Sequence, residues 1–231
     1  MTPRCRRRDA GQAFPLYIVA VGGLLFLALA FFAVGQAAAT RNGAQTAADA
    51  AALAAGQKYR DLLRKGVLDG LRDGSYRTDP TAWEELLNGR GAPSEAACAS
   101  AGWFAGRNGA ELSGSGCTPD SWPTAFAVQV TTRNTVGDSV IPTTSRTHAS
   151  AEAKSVVGPR CTLDPAKDDT GGADGKGGKG DEEGKRGKDG KDDDAPAPVD
   201  ITCDGTRWTL DPDHLQDLPD AADLFSVRLA H

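Results

Sequence analysis

The side chains with the most chemical scope in this sequence are four cysteines, Cys98, Cys117, Cys161 and Cys203. They can ligate a metal or form disulfides. Zinc sites use closely spaced pairs, but no Cys-x-x-Cys occurs, and His148, His214 and His231 do not stand at ligand spacing. Disulfides are therefore the expected chemistry. Four cysteines allow three pairings. Cys98–Cys117 and Cys161–Cys203 are favoured because each closes the nearer loop. In a chain-entropy treatment such bridges contribute about 3 and about 4 kcal/mol, less any strain. Disulfides persist outside the reducing cytoplasm, so this part of the chain is expected to be exported. Cys5 lies apart, close to the N-terminus.

Catalytic groups do not assemble into any recognisable pattern. There is no Gly-x-Ser-x-Gly elbow, P-loop, dinucleotide fingerprint or His-Glu-x-x-His. Carboxylates are plentiful, but most fall in a charged low-complexity run or on helix faces, which does not make a catalytic pair. His148, beside a predicted strand, reads as an exposed or structural histidine rather than a general base. Asp189 and Asp192-Asp193-Asp194 suggest a calcium loop, yet the glycine and terminal glutamate spacing of an EF-hand is missing and lysines intervene. No enzyme, cofactor, metal or small-molecule substrate is expected. The formal net charge is −5, and no basic face is apparent in the sequence, which disfavours a nucleic-acid partner.

The elements that would carry these cysteines begin with an anchor. Ala10 to Thr40 contains no charged side chain, and the densest apolar part runs from Phe14 to Val34. As a helix this run extends roughly 30 Å, the thickness of a bilayer's hydrocarbon core. A lone span in lipid must satisfy its own backbone, which leaves helix as its conformation. Arg4, Arg6, Arg7 and Arg8 precede it, whereas only Arg41 follows closely. The positive-inside bias then keeps the N-terminus cytoplasmic and the remainder extracytoplasmic. The competing reading is a cleaved signal peptide, with Ala37-Ala38-Ala39 as the cleavage site. Against it, the apolar run exceeds the usual core of about 7–15 residues, and the helical pattern continues past it.

Beyond the span the chain is alanine-rich and helix-prone to about Lys65, with Gly66, Gly70 and Gly74 expected to loosen it. Ala44, Ala48, Ala51, Ala52 and Ala55 recur at spacings of three and four, so they share one face. Small residues so placed permit close packing, either against another helix or against the chain's own domain. Further on, Trp83–Leu87 reads as a short amphipathic helix. Ser94 to Asn108-Gly109 reads as a second helix with Ser94 at its N-cap. Phe126–Val136 alternates as a half-buried strand, and Ser145–Val157 returns as another. Asp164 to Pro198 consists almost wholly of Gly, Lys, Asp, Glu, Ala and Pro, the composition of a disordered linker. Val199–Cys203 and Arg207–Leu210 flank Asp204-Gly205 as a hairpin. Pro212–Leu218 suggests a helical turn and Leu224–Leu229 a last strand.

The expected architecture is thus α+β. A basic cytoplasmic segment (1–12) leads into a transmembrane helix (13–35) and an alanine-rich stalk helix (36–66). A small extracytoplasmic α+β domain (67–163) follows, then a disordered charged linker (164–198) and a β-rich segment (199–231) packed on the domain.

Two stretches carry a resemblance. Asp9-Ala-Gly-Gln-Ala-Phe14 before the span, and Gln45-Thr-Ala-Ala-Asp-Ala-Ala-Ala-Leu-Ala-Ala55 after it, resemble the Tad (TadE/TadG-like) family of Flp pilus-assembly proteins. The resemblance covers about Asp9 to Gln57, and Ala48–Ala54 with Asp49 is its most specific part. It implies a membrane-held structural or assembly component of a tight-adherence pilus or related secretion apparatus, partnering pilin-like or other assembly proteins through the N-terminal helix. Gly11 matches the glycine that precedes the processing point of pseudopilin-like members. Leu16 replaces the glutamate such members carry. Larger relatives carry a von Willebrand-type metal-binding domain, but no Asp-x-Ser-x-Ser occurs here. The alternatives are an envelope binding module and a secreted protein unrelated to pili.

Overall fold

A single helix, α1 (Ala13–Asp73), runs through both the expected span and the expected stalk without a break. Its 61 residues correspond to a length of about 90 Å. The computed structural model describes residues 13–137, 144–164 and 198–230. The basic segment with Gly11, and the charged run from 165 to 197, lie outside the described residues.

The helix ends later than Gly66 because its glycines accept neighbours rather than loosen it. A Cβ on Gly66 would meet Leu86 at 3.0 Å, and one on Gly70 would meet the Trp83 ring at 2.6 Å. Gly74, with φ 75°, ends the helix in the left-handed region that favours glycine. A one-turn helix α2 (Ser75–Thr78) follows, then α3 (Pro80–Leu87). Asp79 caps α3 by accepting the Ala82 N–H at 3.1 Å, with Pro80 in the first turn where its missing donor costs nothing. Buried Trp83 locks α3 to α1 through an indole N–H donated to the Val67 carbonyl at 3.2 Å. Helix α4 (Glu95–Arg107) ends at Asn108. Ser94 precedes it, but its side chain makes no capping bond.

Four antiparallel strands form the main sheet: β1 (Ala110–Ser121), β2 (Thr124–Thr135), β3 (His148–Pro159) and, after two further short strands and a hairpin partner, β7 (Phe225–Ala230). Their spatial order is β1-β2-β3-β7. The second sheet holds β4 (Cys161–Leu163), β5 (Val199–Cys203) and β6 (Thr206–Leu210) in that order. Asp204 and Gly205 both have positive φ, 47° and 84°, the conformation a tight two-residue hairpin requires. A short helix α5 (Ala221–Leu224) leads into β7.

The core lies where α1 and α4 cover one face of the main sheet, with α3 packed on α1. Phe126, Val128 and Val130 of β2 point into it, as their alternation predicts. Strand β1 was not evident in the sequence. Its glycines and serines suggest a loop, but it pairs with β2 on either side of a register shift between Leu112 and Cys117, where Gly114 and Gly116 take positive φ. This is bulge behaviour, and pairing rather than propensity holds the strand.

Candidate functional site on the long helix

The two halves of α1 have opposite surroundings. From Phe14 to Val34 the large apolar side chains, apart from half-buried Val21, stand exposed, among them Leu16, Ile18, Leu24, Phe26 and Phe31. Gly22, Gly23 and Gly35 have nothing within contact distance of an added Cβ. An apolar surface on this scale does not stay in water. This is the one helix, among the described residues, long and apolar enough to cross a membrane by length and composition, and it makes the chain a candidate single-pass membrane protein.

The buried half begins at Ala44. Ala44, Ala48, Ala51, Ala52 and Ala55 are all completely buried, together with Ala47. Their small side chains let the helix backbone close onto β3. There the buried Ser155 hydroxyl donates to the Ala52 carbonyl at 2.6 Å. Gly56 continues the approach, since a Cβ there would stand 2.6 Å from Val227 Cγ1 and 3.0 Å from Ser155 Oγ. Further along, Tyr59, Leu63, Val67 and Leu71 take over the same face. The helix therefore lies close to the sheet at its alanine end, and larger side chains fill the space beyond. In the folded chain the surface of the five alanines is used up internally.

Asp49 has a distinct part in this contact. It is half-buried and accepts the Gln45 side-chain amide at 2.9 Å. The same amide donates to the Glu152 carbonyl on β3 at 3.3 Å. Asp49 thus orients the side chain that ties the first buried turn of α1 to the sheet.

Cys98, Cys117, Cys161 and Cys203 form two disulfides. Cys98–Cys117 joins α4 to β1, and Cys161–Cys203 joins β4 to β5. Both occur between the partners expected from loop length. Arg160, beside the second bridge, pairs with Asp204 and donates to the Ala222 carbonyl at 2.8 Å.

Titratable groups are set by local contacts. Burial against Phe126, at 5.2 Å between ring centroids, pushes the Tyr59 phenol up, and burial does the same to Tyr76. Asp73, which accepts the Ser75 N–H, is held below the usual carboxylate range by that bond, and the Lys154 ammonium does the same for Asp120. His148 is exposed, with Nδ1 2.7 Å from the Thr132 carbonyl, so that nitrogen carries the proton. Among the described residues no three His, Cys, Asp or Glu side chains converge as a metal site needs.

Sequence reasoning missed Ser155, Gly56 and Gly70. The only available signal was that Gly56 and Gly70 share the buried face with the alanines. No basic face is apparent in the sequence either, whereas folding brings separate arginines toward one end of the domain.

Comparison with known families bears on the same helix. Residues 11–58 match the Tad family model, Flp pilus-assembly TadE/G-like. The match spans the exposed half of α1 and the alanine face, and stops one residue before Tyr59. The Tad match therefore takes in the membrane-competent segment and its first contact with the domain. The rest of the domain lies outside it. No curated protein and no solved structure matches the chain.

Proposed function

We propose that this protein is a membrane-anchored, non-enzymatic structural or assembly component of a Flp (tight-adherence) type pilus or a related secretion apparatus. Its N-terminus is cytoplasmic and its disulfide-bonded domain extracytoplasmic. One observation carries this reading: the Tad-matching segment is part of a single continuous helix, exposed and apolar in its first half and packed into the domain in its second. A partner gripping the exposed half in the membrane would thereby position the domain outside it. The alanine face is already buried, so partner helices are expected to pack on the stretch before Ala44.

The test is co-purification from membranes with the other components of the pilus machinery, in wild type and in a variant with Gly22 and Gly23 both replaced by isoleucine. These glycines are open in the isolated chain and would admit a close helix partner. Loss of co-purification with unchanged membrane insertion is expected. Absence of pilus components from the wild-type eluate would overturn the proposal.

A second reading, a secreted protein with the span as its signal peptide, draws on one observation. Ala37-Ala38-Ala39 precedes Ala44, the first buried one among the described residues, so cleavage there would leave the domain whole. Intact-mass measurement of the native protein separates the two readings. A mature start near Thr40 would remove the anchor, and a start just after Gly11 would show prepilin-type processing.

A further inference from the structure

We propose that the end of the domain carrying Arg41, Arg107, Arg133, Arg146 and the aromatic pair Trp103–Phe104 rests in the phospholipid headgroup layer of the bilayer that α1 crosses. The proposal rests on the anchor reading of α1 and adds where the folded domain sits relative to the lipid.

Two hydrogen bonds align β3 with α1. Gln45 reaches the Glu152 carbonyl, and Ser155 reaches the Ala52 carbonyl. Between these ties the strand advances three residues, about 10 Å. The helix advances seven, also about 10 Å. The two elements therefore run side by side in the same direction. Followed back from Glu152, β3 descends about 13 Å to His148, level with roughly Gln36 on the helix. An independent contact agrees: Gly137, just past the end of β2, would place a Cβ 3.7 Å from Gln36 Oε1.

The same register carries α4 down to this level. Thr131 stands opposite Ser150, and its neighbour Thr132 stands opposite Ala110 at the start of β1. The Asn108-Gly109 turn and the C-terminal end of α4 therefore lie level with about Ala38. That level is roughly 6 Å beyond Val34, the last large apolar residue of the span. Each headgroup layer is about 5–7 Å thick. The base of the domain thus meets the depth at which lipid phosphates lie.

Its chemistry suits that depth. Arg41, Arg107, Arg133 and Arg146 are all exposed, and among the described residues none of them forms an ion pair. The Arg107 guanidinium lies over the Trp103 ring, 5.5 Å from its centroid. Trp103 is 59% exposed, and Phe104 packs edge-on against it. Guanidinium groups pair with phosphate oxygens through their planar fork, and tryptophan prefers the membrane interface. Glu111 is an exposed acid in the same tier, and Glu152 lies one tier above. The chain as a whole is acidic, with net charge −5. The arginine end therefore reverses the sign where the domain faces the membrane.

The test uses the full-length protein in phosphatidylcholine–phosphatidylglycerol vesicles containing a headgroup nitroxide lipid that quenches tryptophan. The Trp103 signal is the difference between wild type and Trp103→Phe. The Trp122 signal, taken likewise from Trp122→Phe, is the control, because Trp122 is 75% exposed in the β1–β2 turn at the opposite end of the sheet. We expect at least twofold stronger quenching of Trp103 than of Trp122. We also expect that difference to fall by half or more in Arg107→Glu/Arg133→Glu with its circular dichroism unchanged. Flotation of the same samples reports the anchor separately. Protein that floats but quenches both tryptophans equally overturns the headgroup contact and leaves the anchor standing. Protein that does not float overturns the anchor and this proposal with it.

Discussion

Gly43 and Gly56 lie thirteen residues apart on the same helix, yet a methyl group should have opposite effects at the two positions. Gly43 has open space around it, so Gly43→Ala should gain only the helix-propensity difference, about 1 kcal/mol. Gly56→Ala gains the same term but drives a Cβ into Val227 and into the Ser155 hydroxyl that holds the Ala52 carbonyl. Overpacking of this kind costs about 1–3 kcal/mol, so net destabilisation is expected. Urea unfolding of both variants in the same detergent checks the difference in sign. Tyr59 gives a second prediction at this scale. Its folded-state pKa is raised by burial, so the unfolded chain releases the phenolic proton first as pH rises. The stability contribution is complete below about pH 10 and is lost above it. Urea midpoints should therefore fall between pH 9 and pH 11, and Tyr59→Phe should reduce the drop without abolishing it, since Tyr76 shifts in the same direction.

Among the elements, α1 and the small C-terminal sheet depend on different kinds of restraint. The buried face of α1 is alanine because the backbone must approach β3 closely. Ala48→Leu/Ala52→Leu should therefore unfold the domain while leaving membrane insertion intact, read by loss of near-ultraviolet circular dichroism in protein that still floats with vesicles. The sheet of β4, β5 and β6 is short, and Cys161–Cys203 closes a separation of 42 residues. Cys98–Cys117 closes only 19. In the chain-entropy treatment the longer loop contributes more, about 4 against about 3 kcal/mol. Cys161→Ser/Cys203→Ser should accordingly lower stability more than Cys98→Ser/Cys117→Ser, measured by urea unfolding of each pair variant.

The whole molecule divides at Ala44, the first fully buried one among the described residues. From Phe14 to Val34 α1 presents a mostly exposed apolar surface, polar residues enter at Gln36, Arg41 and Asn42, and the part after Ala44 belongs to a folded domain with its own core. A chain beginning at Thr40 should therefore be soluble and folded, with both disulfides formed. Size-exclusion chromatography and non-reducing intact mass test this, and aggregation or mixed pairing would show that the domain needs the span. The continuity of α1 also bears on the proposed role, because one unbroken helix links the membrane segment directly to the domain.

Much of this was determined by the sequence alone, because it depends on short stretches. The span follows from an uninterrupted apolar run, the β5–β6 hairpin from Asp204-Gly205, the extent of α4 from its flanking Ser94 and Asn108, and the disulfide partners from loop length. Tertiary structure decided what depends on residues far apart in the chain. The alanine stripe could have served a partner helix or the chain's own domain, and only the placement of Ser155 and Glu152 against it shows the internal use. Gly66 and Gly70 read as helix breakers until Leu86 and Trp83 occupy the space beside them. Strand β1 looks like a loop because its stability comes from β2 rather than from its own residues. The arginine end was invisible for the same reason: Arg41, Arg107, Arg133 and Arg146 come from four separate segments, and a surface charge pattern exists only once folding has brought those segments to one level.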